Sequence, residues 1–170
     1  MRTGLFLGRF QPFHNGHLEV IKEIAAQVDK LVIGIGSAQD SHTPEDPFTA
    51  GERHLMISET LDEIGIKHYF LIPIVDINRY SVWVSHVRSL VPPFQVVFTN
   101  SDITARLFAE AGVEVVRPRL YNRELYSGMR VRSVMLQGGD WESLVPPGTV
   151  KVVKAIGGIK RLRELAGDSE

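Results

Sequence analysis

Apolar residues along the chain fall into short runs, separated by stretches where they recur every three or four positions. "TGLFLGR" (Thr3–Arg9) is a brief apolar run and predicts a buried strand. Leu18, Ile21, Ile24, Ala25 and Val28 then follow the spacing of one helical face. "KLVIGIG" (Lys30–Gly36) predicts a second strand, followed by a long loop, "SAQDSHTPEDPF", that contains two prolines. Thr49 and Glu52 form a Thr-x-x-Glu capping box for a helix reaching about Ile64, with Gly65 as its stop. "YFLIPIV" (Tyr69–Val75) predicts a third strand, and Pro73 places it at an edge. A shorter helix spans Val82–Leu90 and stops before Pro92-Pro93. "FQVVFTN" is the fourth strand, Ser101 or Asp102 caps a helix ending at Gly112, and "VEVVRP" is the fifth strand. A loop from Arg117 to Tyr126 leads to Ser127, which can cap a helix over Gly128–Leu136. The remainder reads as short helices broken at Pro146-Pro147 and Gly157-Gly158, with frayed last residues.

Strands and helices alternate, and the strands are continuously apolar. That pattern requires a parallel sheet covered on both faces, an α/β, doubly wound, Rossmann-like architecture. The expectation is a single domain over residues 1–170, with a core over 1–137 and a small helical extension over 138–170. Net charge is −1, which gives no global basic field for nucleic acid. Cysteine is absent, which excludes disulfides, thiolate metal sites and cysteine nucleophiles. The opening "MRTGLFLGRF" does not read as a signal peptide, because glycine and arginine interrupt an apolar run of about four residues. No stretch approaches the ~20 apolar residues of a membrane span, so a cytoplasmic protein without membrane contact is expected.

Arginine outnumbers lysine thirteen to six, and five arginines crowd between Arg117 and Arg132 with Glu124 as the only acid. Guanidinium forks suit phosphate oxygens, although such a cluster alone equally describes a solvated face. "GRFQPFHNGH" sits just beyond the first strand, where open parallel sheets bind ligands. Gly8 permits a close approach of backbone or ligand. Gly16 and His17 open the first helix, whose free N–H groups attract anions, and His14 stands just before it. Imidazole N–H donors can hold phosphate oxygens without burying a permanent charge. A His-x-x-His metal pair would need further ligands nearby, and His42, His54, His68 and His86 are scattered singly. The Gly-x-Gly-x-x-Gly dinucleotide turn is absent.

Ser127 and Gly128, with Arg123, Arg130 and Arg132 close by, mark a second anion-binding helix start. Trp83 suits core packing and ring stacking about equally. The small residues of Gly36–Gln39 can admit a nucleotide or form an ordinary turn. Arg53, in the first turns of its helix, is unfavourable toward the helix dipole. It points either to an anionic partner or to an internal ion pair with Glu52 or Asp46.

"HNGH" after "GRFQPF" resembles the His-x-Gly-His signature of the nucleotidyltransferase superfamily of adenylyl- and cytidylyltransferases. "SGMRVR" (Ser127–Arg132) resembles its second signature, Ser/Thr-x-x-Arg. With "IGSAQ", "DPFTAGER", "WVSHV", "PPF" and "YSG" in this order, nearly the whole chain is similar to the archaeal nicotinamide-nucleotide adenylyltransferase family. The resemblance implies direct in-line joining of ATP and nicotinamide mononucleotide (NMN) to give NAD and pyrophosphate. It implies catalytic roles for His14, His17 and Arg132, and ATP-phosphate contacts from Gly8, Arg9, Phe10, Gly16, Arg123, Ser127 and Gly128. It assigns NMN to Ser37, Asp76 and Trp83, with the tryptophan stacked on the nicotinamide. Mg²⁺ or another divalent cation is expected on substrate phosphates and water, without dedicated protein ligands. A homo-oligomer, a hexamer, is implied as well. Met129 departs from the family, which usually carries threonine there. Another adenylyl- or cytidylyltransferase with a different acceptor, and a nucleotide-binding regulatory module without turnover, are the alternatives.

Overall fold

The computed structural model describes residues 1–167. Its elements are β1 (Thr3–Gly8), α1 (Asn15–Ala25), β2 (Lys30–Ile35), α2 (Ala50–Glu63), β3 (Tyr69–Pro73), α3 (Trp83–Leu90), β4 (Val96–Phe98), α4 (Asp102–Glu110), β5 (Glu114–Val116), α5 (Gly128–Leu136), α6 (Pro147–Ala155) and α7 (Gly158–Leu165). Short 3₁₀ turns at Tyr80–Val82 and Glu142–Leu144 precede α3 and α6. The sheet is all parallel, in the order β3-β2-β1-β4-β5. Its register pairs Gly8 with Ile35, Phe6 with Phe98, Ile35 with Pro73 and Phe98 with Val116. The chain winds outward from β1 through β2 to β3, then returns to the other side for β4 and β5. The carboxyl ends of β1 and β4 therefore form the switch point where such sheets bind ligands.

Alternate residues of each strand feed opposite cores. Phe6, Ile33, Ile35 and Phe98 pack against α1, α2, α5 and the C-terminal helices, while Leu5, Val32 and Val97 pack against α3 and α4 through Val84, Val87 and Phe108. Both faces are covered, so the strands carry no polar side. Val145, Val152, Val153 and Leu162 join the first cluster, beside Phe13, Phe48 and Met56. The segment after Leu136 thus shares the main core instead of forming one of its own.

Local signals act as expected at several ends. Thr49 and Glu52 exchange hydrogen bonds, Glu52 N–H to Thr49 Oγ1 at 3.1 Å and Thr49 N–H to Glu52 Oε1 at 2.8 Å. Gly65 takes φ +83° just after α2. Ser101, not Asp102, caps α4 by accepting the Thr104 N–H at 3.3 Å. β3 is an edge strand, as Pro73 requires. The strands are shorter than the apolar runs: β1 stops at Gly8, and β4 keeps three residues of "FQVVFTN". The short C-terminal helices are separated at Pro146-Pro147 and at Gly157-Gly158, as expected, and Pro147 starts α6, where the missing N–H costs nothing. Any fraying of the last residues falls on 168–170, outside the described residues.

Candidate active site

The first helix start is built by its two histidines. His14 caps α1, its Nδ1 accepting the His17 N–H at 3.3 Å, while His17 Nδ1 accepts the His14 N–H at 3.1 Å. This is a capping box in which imidazoles replace the usual hydroxyl and carboxylate. The rings stack at 3.5 Å, and Phe13 lies parallel to His17 at 5.8 Å. Burial pushes the His14 pKa down to about 4. Burial and the neighbouring His14 push His17 well below its ordinary value. Both rings are therefore neutral near pH 7. With each Nδ1 accepting a backbone N–H, each neutral ring carries its proton on Nε2. Two Nε2–H donors stand at the positive end of a helix, which suits an anion. The His-x-x-His spacing matches a capping box as well as a ligand pair, and this double use was not read from the sequence.

The second helix start closes on the first. Ser127 Oγ accepts the Arg130 N–H at 3.1 Å and caps α5. Arg132 turns back over this end, its Nη1 donating to the Gln11 carbonyl at 2.8 Å. A Cβ on Gly128 would lie 2.7 Å from that Nη1 and 3.3 Å from the Gln11 oxygen. A Cβ on Gly16 would lie 2.9 Å from Tyr126 Cβ. Both glycines exist so that the two helix starts can approach. A small cavity of about 100 Å³ at their junction is lined by His14, Gly16, His17, Arg119, Arg123 and Tyr126, among others. The arginine cluster divides. Arg119 and Arg123 reach this cavity, Arg117 pairs with Asp102 at 2.9 Å, and Arg130 is exposed. Met129 is 76% exposed and packs against no core.

Three expectations change. Phe10 is 1% exposed, with φ +55°, and packs edge-on to Phe6, Phe13 and His17. Its side chain is core, so any phosphate contact falls to its backbone. The close approach at Gly8 is made by a side chain, because a Cβ there would lie 2.7 Å from the Phe10 ring. Arg53 forms no ion pair with the carboxylates of Glu52 and Asp46. It is fully buried and donates to main-chain carbonyls. Arg9 stays half in solvent, paired with the buried Asp46, a partner the loop composition did not reveal.

A second corner gathers beyond β2 and β3. Ser37 Oγ donates to Asp76 Oδ2 at 2.7 Å. Gln39 donates to the same oxygen at 3.1 Å and accepts the Asp76 N–H at 3.0 Å. Beside them a cavity of about 330 Å³ is lined by Asp76, Asn78, Arg79, Tyr80 and Trp83. Trp83 is half-buried and touches Phe108 edge-on at 5.8 Å. It is packing residue and cavity wall at once. Gln39 comes from the Gly36–Gln39 stretch after β2, whereas Asn78, Arg79 and Tyr80 were not singled out from the sequence, and only their place between β3 and α3 brings them here. Where the two helix starts meet, the protein presents imidazole N–H, guanidinium and backbone donors. Among the described residues no three His, Asp or Glu side chains converge to hold a metal ion.

The chain is similar to known proteins over nearly its whole length. A family model described as cytidylyltransferase-like matches residues 5–134. The nicotinamide-nucleotide adenylyltransferase of Methanothrix thermoacetophila is 52% identical, over 98% of this chain and 97% of its own. Its counterpart in Archaeoglobus fulgidus is 54% identical, over 95% and 96%. Among solved structures, a bifunctional NMN adenylyltransferase/ADP ribose pyrophosphatase from Francisella tularensis, complexed with AMP and a Mn ion, matches with TM-score 0.82 at 22% identity. That match covers 98% of this chain and 52% of the other, and it is a likeness of fold. The chain belongs to the cytidylyltransferase-like family and, within it, to the nicotinamide-nucleotide adenylyltransferases.

Proposed function

We propose that the site joins ATP and NMN to give NAD and pyrophosphate, a step of NAD biosynthesis. The observation that carries this reading is the meeting of two helix starts, one bearing the stacked neutral His14–His17 pair and the other Arg132. A phosphate oxygen of NMN attacks the α-phosphorus of ATP, the bond to the bridging oxygen breaks, and pyrophosphate leaves with that electron pair. The attacking phosphate is already an anion, so the protein supplies no base and forms no covalent intermediate. Its task is to hold two like-charged substrates in line and to stabilise charge on the transferring group.

In this reading His17 and His14 donate Nε2–H to phosphate oxygens of ATP, beside the free N–H groups of α1. Arg132 and the start of α5 at Ser127–Gly128 take the leaving pyrophosphate, and Arg9 and Arg123 complete the rim. Ser37, Asp76 and Trp83 hold the acceptor, Trp83 stacking on its pyridinium ring. A divalent cation, Mg²⁺ in this reading, neutralises phosphate charge when bound. The corner's carboxylate, Asp46, is engaged by Arg9, so the ligands of the cation come from the phosphates and water. The active form is a homo-oligomer, a hexamer, in the cytoplasm. Incubation with ATP, NMN and Mg²⁺ should yield NAD and pyrophosphate in equal amounts. Product from CTP or another acceptor only would reassign the substrates. Nucleotide binding without any product would make the protein a regulatory module.

A further inference from the structure

Arg53 is a buried cation for which the phosphate corner and the acceptor corner give no separate account. The carboxylates beside it are engaged elsewhere, Glu52 with the Thr49 N–H and Arg161, Asp46 with Arg9. A guanidinium carries five N–H donors in a fixed fork. All five go to main-chain carbonyls: Nε to Thr49 at 3.2 Å, Nη1 to Arg9 and Gly36 at 2.8 Å each, and Nη2 to Ser37 at 3.3 Å and Asp40 at 3.4 Å. Arg9 follows the end of β1 and leads into the histidine loop. Gly36 and Ser37 follow the end of β2 and lead to Asp76. One rigid group thus ties the first residues of both corners. It also sets a positive charge against five carbonyl dipoles whose negative ends gather where a sheet must accept anions.

We propose that Arg53 is a positioning residue for adenylyl transfer, fixing the ATP-phosphate loop and the acceptor loop relative to each other and offsetting the carbonyl charge beneath them. The proposal rests on the function given above. It makes the two substrates depend on one side chain that touches neither. A lysine offers three donors on a single nitrogen and cannot serve five carbonyls spread over a fork.

The test is calorimetric titration of ATP and of NMN, separately, into Arg53→Lys and Arg53→Gln, with steady-state NAD formation and a thermal melt. Both variants are expected to melt cooperatively and bind with full stoichiometry. Both dissociation constants should rise together, by about tenfold or more, and turnover should fall about 10²-fold, the cost typical of a small misplacement of reacting groups. Unchanged constants with only a lower melting temperature or a smaller active fraction would overturn the proposal, because packing alone acts that way. Weakening of one substrate only would overturn it too, as would failure of both variants to fold. If just one variant folds, its constants decide. The unsubstituted protein separates the two ideas. If it binds ATP and NMN but makes no NAD, the assigned reaction fails and the paired loss of affinity still judges Arg53. If it binds neither, both fail.

Discussion

At the scale of single residues, His14 and His17 show how burial sets chemistry. An exposed imidazole would be partly protonated near neutrality, whereas these two are held neutral with the donor on Nε2. The consequence for stability has a definite sign. The folded pKa of His14 lies near 4 and that of an unfolded histidine near 6.5, so between these values the unfolded chain binds the extra proton. The His14 contribution is constant above about pH 7 and costs the fold about 3 kcal/mol as the pH drops from about 6.5 toward 4. His17 adds loss in the same direction. Chemical denaturation between pH 7.5 and 4.5 should show this slope, and His14→Gln should flatten it. A midpoint that stays constant through the window would mean that the pair protonates freely in the folded state.

At the scale of elements, the site is two helix starts brought together. The α5 cap is legible locally, Ser127 preceding Gly128, whereas the histidine capping box of α1 is not. What the local sequence does not show is that Gly16 and Gly128 are glycines for each helix's neighbours, Tyr126 in one case and Arg132 with Gln11 in the other. Gly128→Ala should therefore disturb the site more than the helix. Its Cβ would meet Arg132 Nη1 at 2.7 Å, and the flexible guanidinium would have to leave the Gln11 carbonyl. Alanine is the better helix former by about 1 kcal/mol, so the melting temperature should change little. The Michaelis constant for ATP should rise several-fold and that for NMN should hold. Equal effects on both substrates, or none, would place Arg132 away from the ATP phosphates.

At the scale of the whole molecule, the C-terminal helices brace the histidine loop. Thr149, fully buried in α6, donates to the Phe13 carbonyl at 2.8 Å, one residue before His14. Asn15 donates to the Ser143 carbonyl at 3.0 Å. Arg161 of α7 grips Glu52 with both nitrogens, at 2.7 and 2.9 Å, and the Pro47 carbonyl at 3.2 Å, next to the Asp46 that pairs with Arg9. Thr149→Val keeps the volume and leaves the Phe13 carbonyl without its donor, a cost of about 1–3 kcal/mol. Because that carbonyl belongs to the loop, turnover should fall along with the melting temperature. A variant that melts earlier yet turns over at the original rate would show that the brace serves the fold alone.

The sequence by itself determined the order of elements, the parallel two-faced sheet, the caps of α2 and α5, and the histidine-bearing turn after β1. These follow from relations within a few residues: alternation along strands, helical periodicity, and capping at fixed offsets. Only the tertiary structure decided that Phe10 faces the core, that Asp46 steadies Arg9, that Ser37 reaches Asp76, and that Arg53 serves carbonyls from two strand ends. Strand ends leave carbonyls unpaired, and which donors reach them depends on the order in which distant strands lie side by side. Periodicity along the chain carries no record of that order.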